Sequence, residues 1–180
     1  MKKVLILIPV FNDWDSLIKL IFEINESIKN LKGFTFDCLV VNDASTKEKP
    51  KLFRPKNINS FKILNMKINK GHARCNAFGI RHIIKNEEFD YLILMDGDGE
   101  DRPVEIQSLI KKISAEPNIS VVARRVERSD GYLFKFLYEI HKLITFIFTG
   151  NKMNFGNYTC LTKKDVIKIS SSPSLWSSFS

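Results

Sequence analysis

One hundred and eighty residues, 44% of them apolar, are enough for one domain with a real core, and no internal repeat or low-complexity tract divides the chain. The formal charge is +8, from 28 basic and 20 acidic residues, which favours anionic partners without choosing among nucleic acid, nucleotide and acidic lipid. Nucleic acid has only this charge in its favour, since the chain lacks an aromatic-basic RNA motif and a helix-turn-helix signal. Cys38, Cys75 and Cys160 are odd in number and widely spaced, which argues against a disulfide framework or a zinc cluster and for a reducing, cytosolic setting.

The chain opens with Lys2 and Lys3 before VLILIPV, a β-branched and leucine run. The run is too short for a secretory signal and breaks at Pro9, so it reads as a strand. After Phe11-Asn12-Asp13 comes an amphipathic helix with Leu17, Ile21, Ile24, Ile28 and Leu31 at three- and four-residue steps. Asp13 or Asp15 is its expected N-cap and Gly33 its expected stop. A second strand, Phe36 to Val41, ends in Asn42-Asp43-Ala44-Ser45-Thr46. Phe61 to Met66 is a third strand, and Gly71 to Lys85 a helix carrying the small residues Ala73, Ala77 and Gly79.

Leu92 to Met95 is a further strand, and it delivers Asp96, Asp98, Glu100 and Asp101 onto a loop spaced by Gly97 and Gly99. A continuous apolar run is the mark of a strand buried on both faces of a parallel sheet. Its carboxylates therefore emerge at the C-terminal end, where open α/β sheets place ligands. Two carboxylates one residue apart suit a hard dication that shares itself with substrate phosphates. An acidic turn capping the helix that begins near Pro103 is the competing reading. That helix should run to about Ser114, and Ile119 to Ala123 makes another strand. Alternating strands and helices predict an α/β fold with a mostly parallel sheet. The absence of G-x-G-x-x-G and of a P-loop argues against dinucleotide oxidoreductases and P-loop NTPases, and a sugar nucleotidyltransferase should carry a glycine-rich phosphate loop where PVFND stands.

Tyr132 to Thr149 is apolar but interrupted by Lys135, Glu139 and Lys142, which fall on one helical face, so it does not read as a membrane span. Two readings stay open: a helix packed across the sheet, or an interfacial helix resting on a bilayer or shaping an acceptor groove. The serine-rich end, residues 170 to 180, reads as a tail or a truncation.

Five motifs in order, PVFND at 9 to 13, VVNDAST at 40 to 46, NKGHARCNAFGIRH at 69 to 82, LMDGDGEDRP at 94 to 103 and FGNYTCLTKKDV at 155 to 166, resemble those of family-two glycosyltransferases with the GT-A fold. The pattern is most similar to the branch related to dolichyl- and polyprenyl-phosphate sugar transferases. It departs where Asn42-Asp43-Ala44-Ser45 stands for the usual Asp-Asp-Gly-Ser, and where Glu100 replaces a frequent Gln.

The resemblance implies a Rossmann-like catalytic domain over residues 1 to 169, with nucleotide-sugar binding in 1 to 123 and the acceptor side in 124 to 169. It implies an inverting enzyme that uses Mg²⁺ or Mn²⁺ and moves sugar from a nucleoside-diphosphate sugar to a polyprenyl-phosphate or glycan acceptor. Such an enzyme would be cytoplasmic and peripheral at the inner membrane face. The implied substrate-binding residues are Pro9, Phe11, Asp13, Asp43, Ser45 and Gly71, with Asp43 taking donors from base or ribose. Asp96 and Asp98 meet the ribose and the metal-bound diphosphate, with Asp98 and Glu100 as metal ligands. Asp101 is the nearest candidate general base for a hydroxyl acceptor, unless it caps the Pro103 helix. Arg124, Arg125 and Arg128 are candidates to bind donor diphosphate or lipid phosphate, or are ordinary surface arginines. The scattered His72, His82 and His141 read as incidental. A non-catalytic nucleotide-sugar or membrane-binding fragment of such an enzyme is the second class of function.

Overall fold

A computed structural model describes residues 1–51, 54–124, 155–172 and 175; the side chains of 124 and 155–157 are outside that description. In chain order the elements are β1 (Lys2–Val10), α1 (Trp14–Ile28), β2 (Phe34–Asn42), β3 (Ser60–Asn65), α2 (His72–Asn86), β4 (Tyr91–Leu94), a 3₁₀ turn (Pro103–Glu105), α3 (Ile106–Ala115), β5 (Val121–Arg124), β6 (Phe155–Thr162) and α4 (Lys163–Ser170). Tyr132 to Thr149, with Arg125 and Arg128, lies outside the described residues.

The strands form one sheet in the order β3-β2-β1-β4-β6-β5. β1, β2, β3 and β4 run parallel, with Lys2 beside Phe34, Asp37 beside Ser60 and Val4 beside Tyr91. β6 runs antiparallel to both β4 and β5. Strand β6 was not foreseen as a strand, and it separates β5 from β4, which chain order alone would have made neighbours.

Alternation along β1 divides the core in two. Val4, Ile6, Ile8 and Val10 face the layer built by α1 and α3, with Leu17, Ile21, Ile24, Ile106 and Ile110. Leu5 and Leu7 face the other layer with Leu39, Val41, Ile80, Ile83 and Val166. Each such buried side chain contributes about 1.5–3 kcal/mol of transfer free energy, and this two-sided burial is why β1 reads as an unbroken apolar run. The small residues of α2 let it lie close to the sheet: a Cβ at Gly79 would fall 2.6 Å from Leu7 Cδ1.

Asp13 caps α1, accepting from the Ser16 amide at 3.4 Å. The helix stops at Ile28, short of the expected Gly33, whose φ of 85° instead turns the chain into β2. All three cysteines are free and buried, and burial pushes each thiol up to about 12.

Candidate active site

β1 connects through α1 to β2 on one side, while β3 connects through α2 to β4 on the other. The order therefore reverses between β1 and β4, and a crevice opens at their C-terminal ends. A pocket of about 370 Å³ occupies it, lined by Pro9, Val10, Phe11, Asp13, His72, Asp96, Gly97 and Asp98. Gly97 is what lets the β4 loop pass against β1, because a Cβ there would sit 2.5 Å from the Pro9 carbonyl oxygen. The expected Pro9, Phe11, Asp13, Asp96 and Asp98 are thus brought together. Phe11 is exposed at the mouth.

The β1 and β2 ends are braced by hydrogen bonds within the protein. Asn12 has φ 59°, a left-handed conformation that asparagine tolerates. Its Oδ1 accepts from the amides of Thr46 at 2.7 Å and Lys47 at 2.9 Å, and its own amide donates to Ser45 Oγ at 2.8 Å. The Ser45 amide donates to Asn42 Oδ1 at 2.9 Å. Ser45 therefore serves as a brace, and Asn12, which carried no expected role, is the centre of that brace.

Asp43, at the end of β2, has partners within the chain. It is 3% exposed, and its two carboxylate oxygens accept from the amides of Lys70 and Gly71, each at 2.8 Å. The donors expected from a base or ribose are supplied by the chain itself. Gly71, with φ 84°, is the N-cap residue of α2, so Asp43 fixes the point where that helix begins. Gly71 meets Asp43 in this way and does not line the pocket.

The β4 end is a more open loop. Asp98 is exposed and accepts from the Glu100 amide at 2.9 Å. Glu100 is exposed and lies outside the pocket lining. Asp101 neither lines the pocket nor caps the following 3₁₀ turn, whose N-cap residue is Arg102. Its Oδ2 accepts from the Asp96 amide at 2.8 Å, closing the loop on itself. Among the described residues no group of three or more His, Cys, Asp or Glu side chains forms a ready metal cage. The donor set lining the pocket, hard carboxylate oxygens from Asp13, Asp96 and Asp98, still suits Mg²⁺ or Mn²⁺, ions that commonly complete their shell with water and substrate phosphate. Arg124 ends β5.

His72, read from sequence as incidental, is in the site. Its Nε2 lies 2.7 Å from Asp96 Oδ1 and 3.1 Å from the side-chain amide of Asn76. The Asp96 hydrogen bond, aided by the charges of Asp96, Asp98 and Asp101, raises its pKa against the opposing pull of burial. The available signal was positional: a histidine directly after the glycine that starts a helix at a sheet's C-terminal end.

The family model for "Glycosyl transferase family 2" matches residues 5–168. Undecaprenyl-phosphate 4-deoxy-4-formamido-L-arabinose transferase of Salmonella paratyphi B is 28% identical over 166 residues, covering 90% of this chain and 48% of that protein. This chain thus spans about half the length of that relative. Mannosyltransferase PcManGT from Pyrobaculum calidifontis, solved with GDP-Man and Mn²⁺, superposes with TM-score 0.63 at 16% identity, over 94% of this chain and 47% of that one. Glucosyl-3-phosphoglycerate synthase from Mycobacterium tuberculosis, solved with Mn²⁺, UDP and glucosyl-3-phosphoglycerate, gives TM-score 0.60 at 10% identity, over 91% and 57%. At these identities the two structures establish the fold: a GT-A, Rossmann-like glycosyltransferase architecture.

Proposed function

We propose, from the premise that this chain belongs to glycosyl transferase family 2, that it moves a sugar from a nucleoside-diphosphate sugar to a polyprenyl-phosphate or glycan acceptor with inversion at the anomeric carbon. The observation that carries this reading is the acidic pocket at the β1/β4 switch point, where Asp13, Asp96 and Asp98 converge. The undecaprenyl-phosphate transferase relatives support the choice of acceptor.

Each residue then has a task. Pro9, Phe11 and Asp13 form the wall against which base and ribose lie. Asp96, closed against Asp101 through its own amide, meets the ribose and diphosphate. Asp98, on the exposed part of the loop, holds Mg²⁺ or Mn²⁺, with Glu100 two residues on as a further oxygen donor. A bound dication supplies Lewis-acid neutralisation of the departing nucleoside diphosphate. A phosphate acceptor is already a nucleophile and asks no base of the protein. A sugar hydroxyl would need one, and Asp101 is the nearest acidic candidate in sequence. Arg124, Arg125 and Arg128 are the candidates to bind donor or acceptor phosphate.

No helix among the described residues is long and apolar enough to cross a membrane. In this reading a lipid-linked acceptor is met at the cytoplasmic membrane face, with residues 132 to 149 as the contacting segment. A second reading, a nucleotide-sugar binding portion of a larger enzyme, is favoured by the chain spanning 48% of the Salmonella relative.

The test is thermal denaturation with nucleoside diphosphates and nucleotide sugars, with and without Mn²⁺. A ligand that binds only the native state raises the midpoint. At least one nucleoside diphosphate should do so, and more strongly with Mn²⁺. No shift with any of them would overturn the reading, and binding without transfer to polyprenyl phosphate would favour the second.

A further inference from the structure

The contact between His72 and Asp96 fixes a proton. A carboxylate offers only lone pairs, so an imidazole nitrogen 2.7 Å from Asp96 Oδ1 carries hydrogen. The Asn76 side-chain nitrogen lies 3.1 Å from the same Nε2. Asn76 is 2% exposed on the second turn of α2, and it flanks His72 from the helix side while Asp96 holds it from the sheet side.

The helix that carries His72 is held in turn. Asp43, at the end of β2, binds the amides of Lys70 and Gly71, the two residues before His72. β1 lies between β2 and β4, so Asp43 and Asp96 stand on strands that are not neighbours. The first turn of α2 connects them. A displacement of Asp43 is passed through two amides and one ring to the Asp96 carboxylate.

We propose that His72 is a positioning residue: it aims the Asp96 carboxylate at the donor, and Asp43 acts on donor binding through His72 rather than by touching the nucleotide. The proposal rests on the reading that Asp96 meets the donor. It explains why a buried carboxylate stands at the β2 end with both oxygens turned to its own chain.

Glutamine and asparagine separate positioning from general structure. The side-chain nitrogen of Gln reaches the place of a histidine Nε2, whereas that of Asn reaches only the place of Nδ1. Titration calorimetry of a nucleoside diphosphate in Mn²⁺ should show His72→Ala and His72→Asn each weakening binding by about tenfold, the loss of one charge-assisted hydrogen bond, with His72→Gln remaining within about threefold of wild type. In an Asp96→Asn background, His72→Ala should cost nothing further, because the interaction is already gone. Circular dichroism confirms that each variant is folded.

The ligand-free protein gives a readout that does not depend on the nucleotide. In ¹⁵N spectra of the imidazole, Asp96→Asn should move the His72 Nε2 resonance, while Asp98→Asn should move it far less. Wild-type affinity in His72→Ala, equal behaviour of the Gln and Asn variants, or losses that multiply with Asp96→Asn would each overturn the proposal. If wild-type protein binds no nucleoside diphosphate, the glycosyltransferase reading of this chain falls on its own, and an unmoved His72 resonance in Asp96→Asn would still refute the pair.

Discussion

At the N-terminal end of the sheet, Asp90 meets Lys2 Nζ at 2.8 Å and Asp37 meets Lys3 Nζ at 3.0 Å. At the C-terminal end, Asp43 is met by two backbone amides, Asp98 by one and Asp96 by an imidazole. A lysine cancels a carboxylate's charge, whereas an amide satisfies its lone pairs and leaves the charge in place. One end of the sheet therefore uses acid to join strands, and the other holds acid through amides and an imidazole; in the proposed function this acid serves a cation that arrives with the donor. The contrast recurs on a smaller scale within the functional end. The β1 and β2 termini are laced together through Asn12, Ser45 and Asn42, while the β4 loop closes mainly on itself.

Asp98→Ala should break the contrast most visibly. Removing the exposed carboxylate should weaken nucleoside-diphosphate binding in Mn²⁺ by about 10- to 100-fold, corresponding to roughly 1.5–3 kcal/mol for a lost charged contact. Thermal stability should hardly change, because the side chain is exposed and its described partner is the Glu100 amide. Calorimetry decides; unchanged affinity would remove Asp98 from the metal site and with it the difference between the two ends.

Asp43→Ala sharpens the smaller contrast. It leaves the Lys70 and Gly71 amides without their partner at a site 3% exposed, so urea denaturation should show a loss of about 2 kcal/mol. Nucleotide binding should weaken with and without metal as the start of α2 loosens, while Mn²⁺ binding survives. Full stability in this variant would mean that the two amides find another partner and that Asp43 is not what holds the loop.

How much of this was legible in the sequence follows from the same physics. β1, β2 and β4 were readable because strands buried on both faces leave continuous apolar runs, and α1 because its inward stripe recurs every three or four residues. β6 was not. FGNYTCLT has no such run, and its place between β4 and β5 depends on pairing with residues about 30 to 70 positions away. Asp96 and Asp98 were legible because glycines and carboxylates at a strand end leave few alternatives. Asp43 was found, but not its hydrogen bonds to the Lys70 and Gly71 amides, since sequence cannot say which backbone groups a carboxylate meets. His72 was passed over because one histidine has no pattern; only the fold sets α2 against the end of β4. Asn12 was hidden for a similar reason, its hydrogen bonds to Ser45, Thr46 and Lys47 reaching a segment more than 30 residues ahead.

The smallest effect tests the structural end. Burial alone would raise the Asp90 carboxyl, but the Lys2 ammonium and the Lys3 amide outweigh it and hold the group below its ordinary value of 3.8. A carboxyl lowered in the folded state stabilises it fully above the ordinary range, and that contribution is lost as pH falls through the lowered value. The side chain is 35% exposed, so solvent screening keeps the contribution small. Asp90→Asn should therefore cost about 0.5 kcal/mol in urea denaturation at neutral pH, and the gap from wild type should close only below about pH 4. Asp98→Asn, at the other end of the sheet, should cost little stability at neutral pH, because among the described residues its hydrogen-bond partner is a backbone amide. If the Asp98 variant were destabilised like the Asp90 variant, Asp98 would be serving the fold as Asp90 does, and acid at the two ends would not be divided between holding strands and holding a ligand.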